Sequence, residues 1–182
     1  MQKKTGLTVK WVGFGNREVR RIYRDAFRPG ERMPFFMMVF MSFFGNTRFE
    51  AFYDGETLVG FLYYAVSFRQ VFLMFFAADK SLRGRGYGRE MLDSVATRFP
   101  KKVIITSIGD DAGEDAETVR NRRRLYEKCG FAQSGYNIRM NGIPEEVLTR
   151  NGQFSKVRFR IFMALYSFGT QWPKIWKREE KG

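Results

Sequence analysis

A glycine-rich basic turn holds the residues that could most directly bind a ligand. The segment Arg83–Gly88 reads Arg-Gly-Arg-Gly-Tyr-Gly, between an apolar run that ends at Ala78 and a helical pattern closed by Pro100. Glycines tolerate positive φ and let a ligand approach the backbone. The first N–H groups of a helix lack intrahelical acceptors and, with the helix dipole, attract an anion. The turn therefore predicts a site for a phosphate-bearing cofactor.

Composition limits the chemistry that the other residues can perform. The 182 residues include 32 basic and 19 acidic side chains, for a net charge of +13. This charge favours an anionic partner such as a phosphorylated cofactor, nucleic acid or an acidic surface. The sequence has no histidine and a single cysteine, Cys129, so we predict no metal site and no internal disulfide. Proton transfer must use tyrosine, carboxylates, lysine, cysteine or water.

The length predicts one domain over residues 1–182. No apolar core of a signal peptide follows the N-terminus, and the apolar run 33–44 is too short to span a bilayer. We therefore expect a cytoplasmic protein without a membrane span. The run 33–44 is interpreted as a buried helix or a lid over a pocket, with contact to a membrane interface as the alternative.

Periodicity, caps and turn residues predict the elements that position the turn. Strands are predicted at 7–12, 48–53, 57–68, 71–78, 102–108, 133–140 and 146–149, and helices at 16–27, 33–44, 90–99, 116–128 and 155–168. Asn16 and Ser155 are the expected N-caps, and Gly130 is the expected left-handed C-cap. The last helix is expected to place its apolar residues on one face, namely Val157, Ile161, Phe162 and Leu165. The prediction is an α+β fold with a mixed, mostly antiparallel sheet of about seven strands, flanked by helices and extended by a C-terminal helix.

A dinucleotide-binding Rossmann fold is the weaker alternative. The glycine pattern follows the hairpin expected at Asp54-Gly55, whereas a Rossmann fingerprint opens a βαβ repeat. No acidic residue lies at the distance expected for a ribose contact.

Two segments resemble the GNAT superfamily of N-acetyltransferases. Arg83, Gly86 and Gly88 match its signature Arg/Gln-x-x-Gly-x-Gly/Ala, after a strand that ends at Ala78. Residues 125–131, Leu-Tyr-Glu-Lys-Cys-Gly-Phe, are similar to the superfamily's Leu-Tyr-x-Lys-x-Gly-Phe segment. The resemblance covers about residues 47–140, followed by a C-terminal helix and basic tail over about 155–182.

The resemblance implies that the protein binds acetyl-coenzyme A (acetyl-CoA) as its co-substrate. The backbone of the turn would hold the pyrophosphate, and the end of the preceding strand would pair with the pantetheine arm and polarise the thioester carbonyl. These cofactor-binding residues are Phe76, Ala77, Ala78, Arg83, Gly84, Arg85, Gly86, Tyr87, Gly88 and Arg89.

The resemblance also implies that Tyr126 protonates the departing thiolate as general acid. The chain departs from the family pattern in two places. Val119 stands where many members have an asparagine, and the strand 71–78 lacks the glutamate that many members use as general base. Glu50, on the neighbouring strand, is the weak substitute for this base, and proton loss through water is equally open.

The acceptor is expected to be a small amine, an amino acid or a protein N-terminus. Its pocket could use the apolar cluster Met33, Phe36, Met37, Phe40 and Met41, which could equally be core. A polycationic amine would need a local acidic mouth, for which Asp110, Asp111, Glu114 and Asp115 are the candidates. A basic cluster on one helix is either a solvated face or a contact to the 3′-phosphate or another polyanion: Arg120, Arg122, Arg123, Arg124 and Lys128.

The alternative function is a binding module of the same fold that docks on RNA, with CoA structural or absent. Basic and aromatic residues alternate in the segments 154–160 and 172–177, which motivates this alternative. A homodimer also stays open.

Overall fold

The computed structural model describes residues 6–109, 116–140, 142–170 and 172–178. The described strands are β1 Thr8–Trp11, β2 Thr47–Asp54, β3 Thr57–Val66, β4 Gln70–Ala78, β5 Val103–Gly109, β6 Ala132–Met140, β7 Ile143–Arg150 and β8 Lys174–Lys177. The described α-helices are α1 Arg17–Ala26, α2 Phe35–Ser42, α3 Tyr87–Arg98, α4 Ala116–Lys128 and α5 Lys156–Tyr166. Among these residues, no helix has both the length and the apolar character needed to cross a membrane.

The strands form a mixed, mostly antiparallel sheet in the order β1-β2-β3-β4-β5-β7-β6-β8. Strands β4 and β5 pair in parallel through Gln70–Phe72 and Val103–Ile105. The pairs β1–β2, β2–β3, β5–β7, β6–β7 and β6–β8 are antiparallel. The predicted α+β class is confirmed, with eight strands instead of about seven.

The chain divides into two compact units. Unit 1 comprises residues 1–66 and 73–100, and unit 2 comprises residues 67–72 and 101–182. The single domain over 1–182 stays a prediction.

Unit 1 carries helices on both faces of its strands. Asn16 caps α1 by accepting a 3.0 Å hydrogen bond from the backbone N–H of Val19. The buried α1 residue Tyr23 packs its ring 5.9 Å from Phe61 on β3, in the cluster that includes Tyr63. The next β3 residue, Tyr64, contacts Arg98 at the end of α3. Because successive strand residues point to opposite faces, α1 and α3 cover opposite faces of β3.

In unit 2, α5 packs beside the start of β4. Ser155 caps α5 by accepting a hydrogen bond from the backbone N–H of Arg158, as expected. The buried residues of α5 are Phe159, Phe162 and Met163, and the Phe159 ring lies 5.0 Å from that of Phe72. The predicted apolar face is therefore wrong in part: Phe162 is buried, but Val157, Ile161 and Leu165 are exposed.

Helix α4 and its C-cap agree with the local predictions, whereas the C-terminal segment differs from them. Helix α4 has the predicted bounds 116–128, and Gly130 has the expected left-handed φ of +77°. The segment predicted as a basic tail contains β8, because Ile175 is buried and the strand pairs with β6. The apolar run 33–44 is helical as expected, but α2 buries Met38 and Val39 and leaves Phe36, Met37 and Phe40 exposed.

Candidate functional site

The predicted glycine turn has a backbone conformation that glycine adopts more easily than any other residue. Gly84 and Gly86 have φ values of +80° and +89°, in the left-handed region where a side chain is strained. Gly86 is the N-cap of α3 and has no side chain to bond the first helical N–H groups. A Cβ built at either glycine would meet no other atom within 4 Å. The turn is therefore open to an anion approaching the helix N-terminus.

Asp79, which the sequence analysis missed, fixes the start of the turn. Its Oδ1 accepts from the backbone N–H of Ser81 at 2.9 Å and from the Ser81 hydroxyl at 2.6 Å. Its Oδ2 accepts from Nη2 of Arg21 at 2.7 Å. The hydrogen bond from the Ser81 hydroxyl contributes most to holding the pKa of Asp79 below its usual value. The Ser81 N–H and Arg21 lower this pKa further. An aspartate two residues before a serine is a local capping signal, whereas the Arg21 contact has no local signal.

Tyr87 fixes the other end of the turn. Its hydroxyl donates a 2.6 Å hydrogen bond to Oδ2 of Asp54 in the β2–β3 hairpin. This hydrogen bond raises the pKa of the Tyr87 phenol. The Arg83 and Arg85 side chains between these two anchors are exposed. The turn is thus a fixed backbone loop bordered by accessible cations, which suits a pyrophosphate.

The end of β4 comes unusually close to Gly60 on β3. A Cβ at Gly60 would lie 2.4 Å from the carbonyl oxygen of Ala77 and 2.9 Å from both Cα of Ala78 and Cε of Met91. Only a residue without a side chain lets β4 and α3 approach β3 this closely. Gly60 therefore sets the position of the Ala77–Ala78 backbone, a role that sequence reasoning did not identify.

Glu50 lies in a buried polar network of unit 1. Its Oε1 accepts a 2.6 Å hydrogen bond from Nη1 of Arg98, and its Oε2 accepts a 3.1 Å hydrogen bond from the Tyr64 hydroxyl. Nη1 of Arg98 also donates to the Tyr64 oxygen at 2.8 Å. Burial raises the pKa of Tyr64. Both carboxylate oxygens of Glu50 thus have structural partners, and its role as general base stays a prediction.

Tyr126, the predicted general acid, lies in unit 2. It is 4% exposed, and its ring contacts Phe131 edge to face at 5.3 Å. The Thr106 hydroxyl donates a 3.4 Å hydrogen bond to the Tyr126 oxygen. Burial raises the pKa of the phenol, so Tyr126 stays protonated over the physiological pH range. Its catalytic role stays a prediction.

The basic cluster on α4 divides into two kinds of side chain. Arg123 is bound to Glu146 at 2.5 Å, whereas Arg120, Arg124 and Lys128 are exposed. The predicted acidic mouth (Asp110, Asp111, Glu114 and Asp115) lies outside the described residues. Groups of acidic or cysteine side chains that could hold a metal are absent from the described part of the chain.

Unit 1 thus brings together an open glycine turn, two acidic anchors and the end of β4, which defines the chain as an α+β protein with an open glycine turn at a helix N-terminus. The sequence profile of the acetyltransferase (GNAT) family matches residues 16–131. Because this match covers more than half of the chain, the protein belongs to the GNAT acetyltransferase family. The resemblance seen in the sequence is confirmed.

Solved structures show the same fold at low sequence identity. A GNAT-family acetyltransferase from Bacteroides thetaiotaomicron has a TM-score of 0.70 at 15% identity, over 90% of this chain and 99% of its own. An Elizabethkingia anophelis GNAT acetyltransferase with acetyl-CoA bound has a TM-score of 0.55 at 14% identity, over 81% of this chain and 99% of its own.

A third structure, the ribosomal-protein-S18-alanine N-acetyltransferase from Escherichia coli, has a TM-score of 0.53 at 13% identity. It covers 82% of this chain and 96% of its own. None of the curated proteins compared with this chain matches it.

Proposed function

We propose that the protein transfers the acetyl group of acetyl-CoA to a primary amine. The observation that carries this proposal is the left-handed glycine N-cap of α3, anchored at both ends, in a chain of the GNAT acetyltransferase family. The backbone of 83–89 would hold the pyrophosphate through helix N-terminal N–H groups. The exposed arginines of the turn would add charge-assisted contacts to the phosphates.

The pantetheine arm would lie along the backbone of Phe76–Ala78. An amide-containing arm can hydrogen-bond to strand backbone groups as an added strand does. The close approach at Gly60 supports this assignment, because it holds the backbone of Ala77 and Ala78 close against β3. An N–H of Ala77 or Ala78 would also polarise the thioester carbonyl.

In the proposed reaction the neutral amine attacks the thioester carbonyl carbon. A C–N bond forms, the C–S bond breaks, and the amine loses one proton while the sulfur gains one. Tyr126 would supply the proton to sulfur, because a buried phenol stays protonated at the working pH. The amine proton would leave through water or through Glu50. Use of Glu50 would require it to exchange its bonds to Arg98 and Tyr64.

The acceptor is proposed to be a small amine, an amino acid or a protein N-terminus. Helix α1 argues against a polycationic amine, because its four arginines (Arg17, Arg20, Arg21 and Arg24) outnumber its two carboxylates (Glu18 and Asp25). Like charges on enzyme and acceptor would slow association. The Escherichia coli structure is named for the N-acetylation of an alanine of ribosomal protein S18.

Thermal denaturation with and without ligand tests the cofactor assignment. At about 100 times its Kd, a ligand stabilises the folded state by roughly 2.7 kcal/mol. We expect CoA and acetyl-CoA to raise Tm. Acetyl-pantetheine, which lacks the pyrophosphate, should raise it less.

No shift with saturating acetyl-CoA would contradict the proposal and favour the alternative of an RNA-binding module. If acetyl-CoA does raise Tm, a panel of amines identifies the acceptor: the amine in whose presence the acetyl-CoA thioester is consumed is the substrate.

A further inference from the structure

Helix α5 has a second apolar face that its own unit does not bury. Val157, Ile161 and Leu165 are 67%, 56% and 74% exposed. Because they are four residues apart, they lie on one side of the helix. The buried residues Phe159, Phe162 and Met163 form the side that packs inward. The helix is therefore apolar on two sides, and only one of them is covered.

The exposed face continues beyond the helix. Phe168 follows Leu165 by three residues and is 78% exposed, and Trp172 is 69% exposed. Phe168 has a φ of +52°, a left-handed conformation that is costly for a residue with a side chain. The Trp172 indole N–H donates a 3.1 Å hydrogen bond to the Gly169 carbonyl. We define the α5 outer face as the five exposed apolar residues of this segment: Val157, Ile161, Leu165, Phe168 and Trp172.

The chain segment that carries this face has charges of one sign. Residues 151–178 contain six basic residues and no acidic residue. The three on α5 are Lys156, Arg158 and Arg160, which border the apolar stripe. A helix with apolar residues bordered by cations, followed by a tryptophan, combines the features of segments that lie in the interface of an anionic bilayer.

We propose that the α5 outer face docks on the surface of an anionic lipid bilayer. The aliphatic residues would enter the boundary between headgroups and acyl chains, while Arg158 and Arg160 contact lipid phosphates. This inference is independent of the acetyl-transfer proposal.

Two other occupants fit the observations less well. RNA would cover this face poorly, because only Phe168 and Trp172 at its end offer a flat ring on which a base could stack, whereas the three aliphatic residues of the helix offer none. A second copy of the chain would bring an identical basic border against the first, and the like charges would repel.

Vesicle co-sedimentation tests the proposal. We expect the full chain to bind vesicles of phosphatidylcholine with phosphatidylglycerol, to bind phosphatidylcholine alone weakly, and to be released by salt. Ile161→Ser and Leu165→Ser should each weaken binding by about tenfold, because each removes a large apolar side chain from the lipid contact. Both variants should keep the wild-type Tm, because the replaced side chains face outward. Phe68→Ser, which changes an 86% exposed residue of unit 2, is the matched control and should bind as wild type.

Three results would overturn the proposal. Wild-type vesicle binding by both folded variants would exclude the α5 outer face as the contact. Absence of vesicle binding together with binding of single-stranded RNA that Ile161→Ser weakens would assign the face to RNA. A dimer that light scattering detects and that Ile161→Ser dissociates would assign it to a second copy.

Discussion

Replacement of Gly60 by alanine is the sharpest test of how unit 1 positions the proposed cofactor site. The added Cβ would lie 2.4 Å from the Ala77 carbonyl oxygen and 2.9 Å from Cα of Ala78. Both obstructing atoms belong to the backbone, so a rotamer change cannot relieve the contact. The φ of Gly60 is not in the left-handed region, so the effect isolates the close approach of the two strands.

The size of the effect follows from the missing space. Carbon–oxygen contacts between strands are about 3.3–3.6 Å, so the end of β4 must move by about 1 Å. Overpacking of this kind costs about 1–3 kcal/mol, and the gain from removing a strand glycine offsets about 0.5–1 kcal/mol of it. A 1 Å displacement of a positioning group can cost about 10²-fold in rate. We therefore expect Gly60→Ala to lose about 1–2 kcal/mol of stability and about 10- to 100-fold in kcat/KM.

The assay pairs urea denaturation with calorimetric titration of CoA on the same preparations. Gly45→Ala is the control, because its Cβ would meet nothing within 4 Å and its φ is not positive. We expect Gly45→Ala to bind CoA like the wild type and Gly60→Ala to bind about tenfold more weakly, a difference of about 1.4 kcal/mol. A folded Gly60→Ala protein with wild-type CoA affinity would refute the role of this contact in placing Ala77 and Ala78.

Three further predictions concern the turn and the proposed acid. Gly86→Ala, at φ +89°, should destabilise the fold by about 1–2 kcal/mol and weaken CoA binding. The control Gly169→Ala, at φ +79°, should lose stability but keep its affinity for CoA. Equal CoA affinity in the two variants would contradict this prediction. Tyr126→Phe should lower kcat by about 10²–10⁴-fold and leave the affinity for CoA unchanged. The control Tyr136→Phe should leave kcat unchanged. A wild-type kcat for Tyr126→Phe would refute its role as general acid. Asp79→Asn should be less stable than wild type near neutral pH, because the folded-state pKa of Asp79 is depressed. The ionised Asp79 carboxylate therefore stabilises the fold above the unfolded pKa of about 3.9. This stabilisation is lost as pH falls through the folded-state pKa. Denaturation curves that differ equally at pH 7 and well below pH 4 would contradict that linkage.

Features that depend on neighbouring residues were predictable from the sequence. The caps of α1 and α5, the left-handed Gly130 and the hairpin at Asp54-Gly55 all follow from local rules, and each is present. Helical spacing also grouped Val157, Ile161 and Leu165 correctly on one side of α5. It could not tell which side is buried, because Phe159, Phe162 and Met163 make the opposite side equally apolar.

Features that depend on distant residues were missed. Arg21 and Asp79 are 58 positions apart, and Glu50 and Arg98 are 48 apart. Each pair is brought together by the tertiary structure of unit 1, which local sequence rules do not describe. The role of Gly60 was also not predictable, because a lone glycine in a strand marks either a β-bulge or a close approach of another backbone. Only the position of the partner strand distinguishes these two cases.

The two acidic anchors of the glycine turn pose an electrostatic problem that unit 1 resolves locally. A carboxylate beside a pyrophosphate site would repel the ligand, yet Asp79 and Asp54 both border the turn. Asp79 is neutralised by Arg21, and Asp54 accepts a hydrogen bond from the neutral Tyr87 phenol, beside which Arg85 adds a positive charge. The anchors therefore hold Gly84 and Gly86 in their left-handed conformation, while Arg21, from outside the turn, balances the charge of Asp79. A loop fixed in this way loses little conformational entropy when an anion binds, so the site is preorganised.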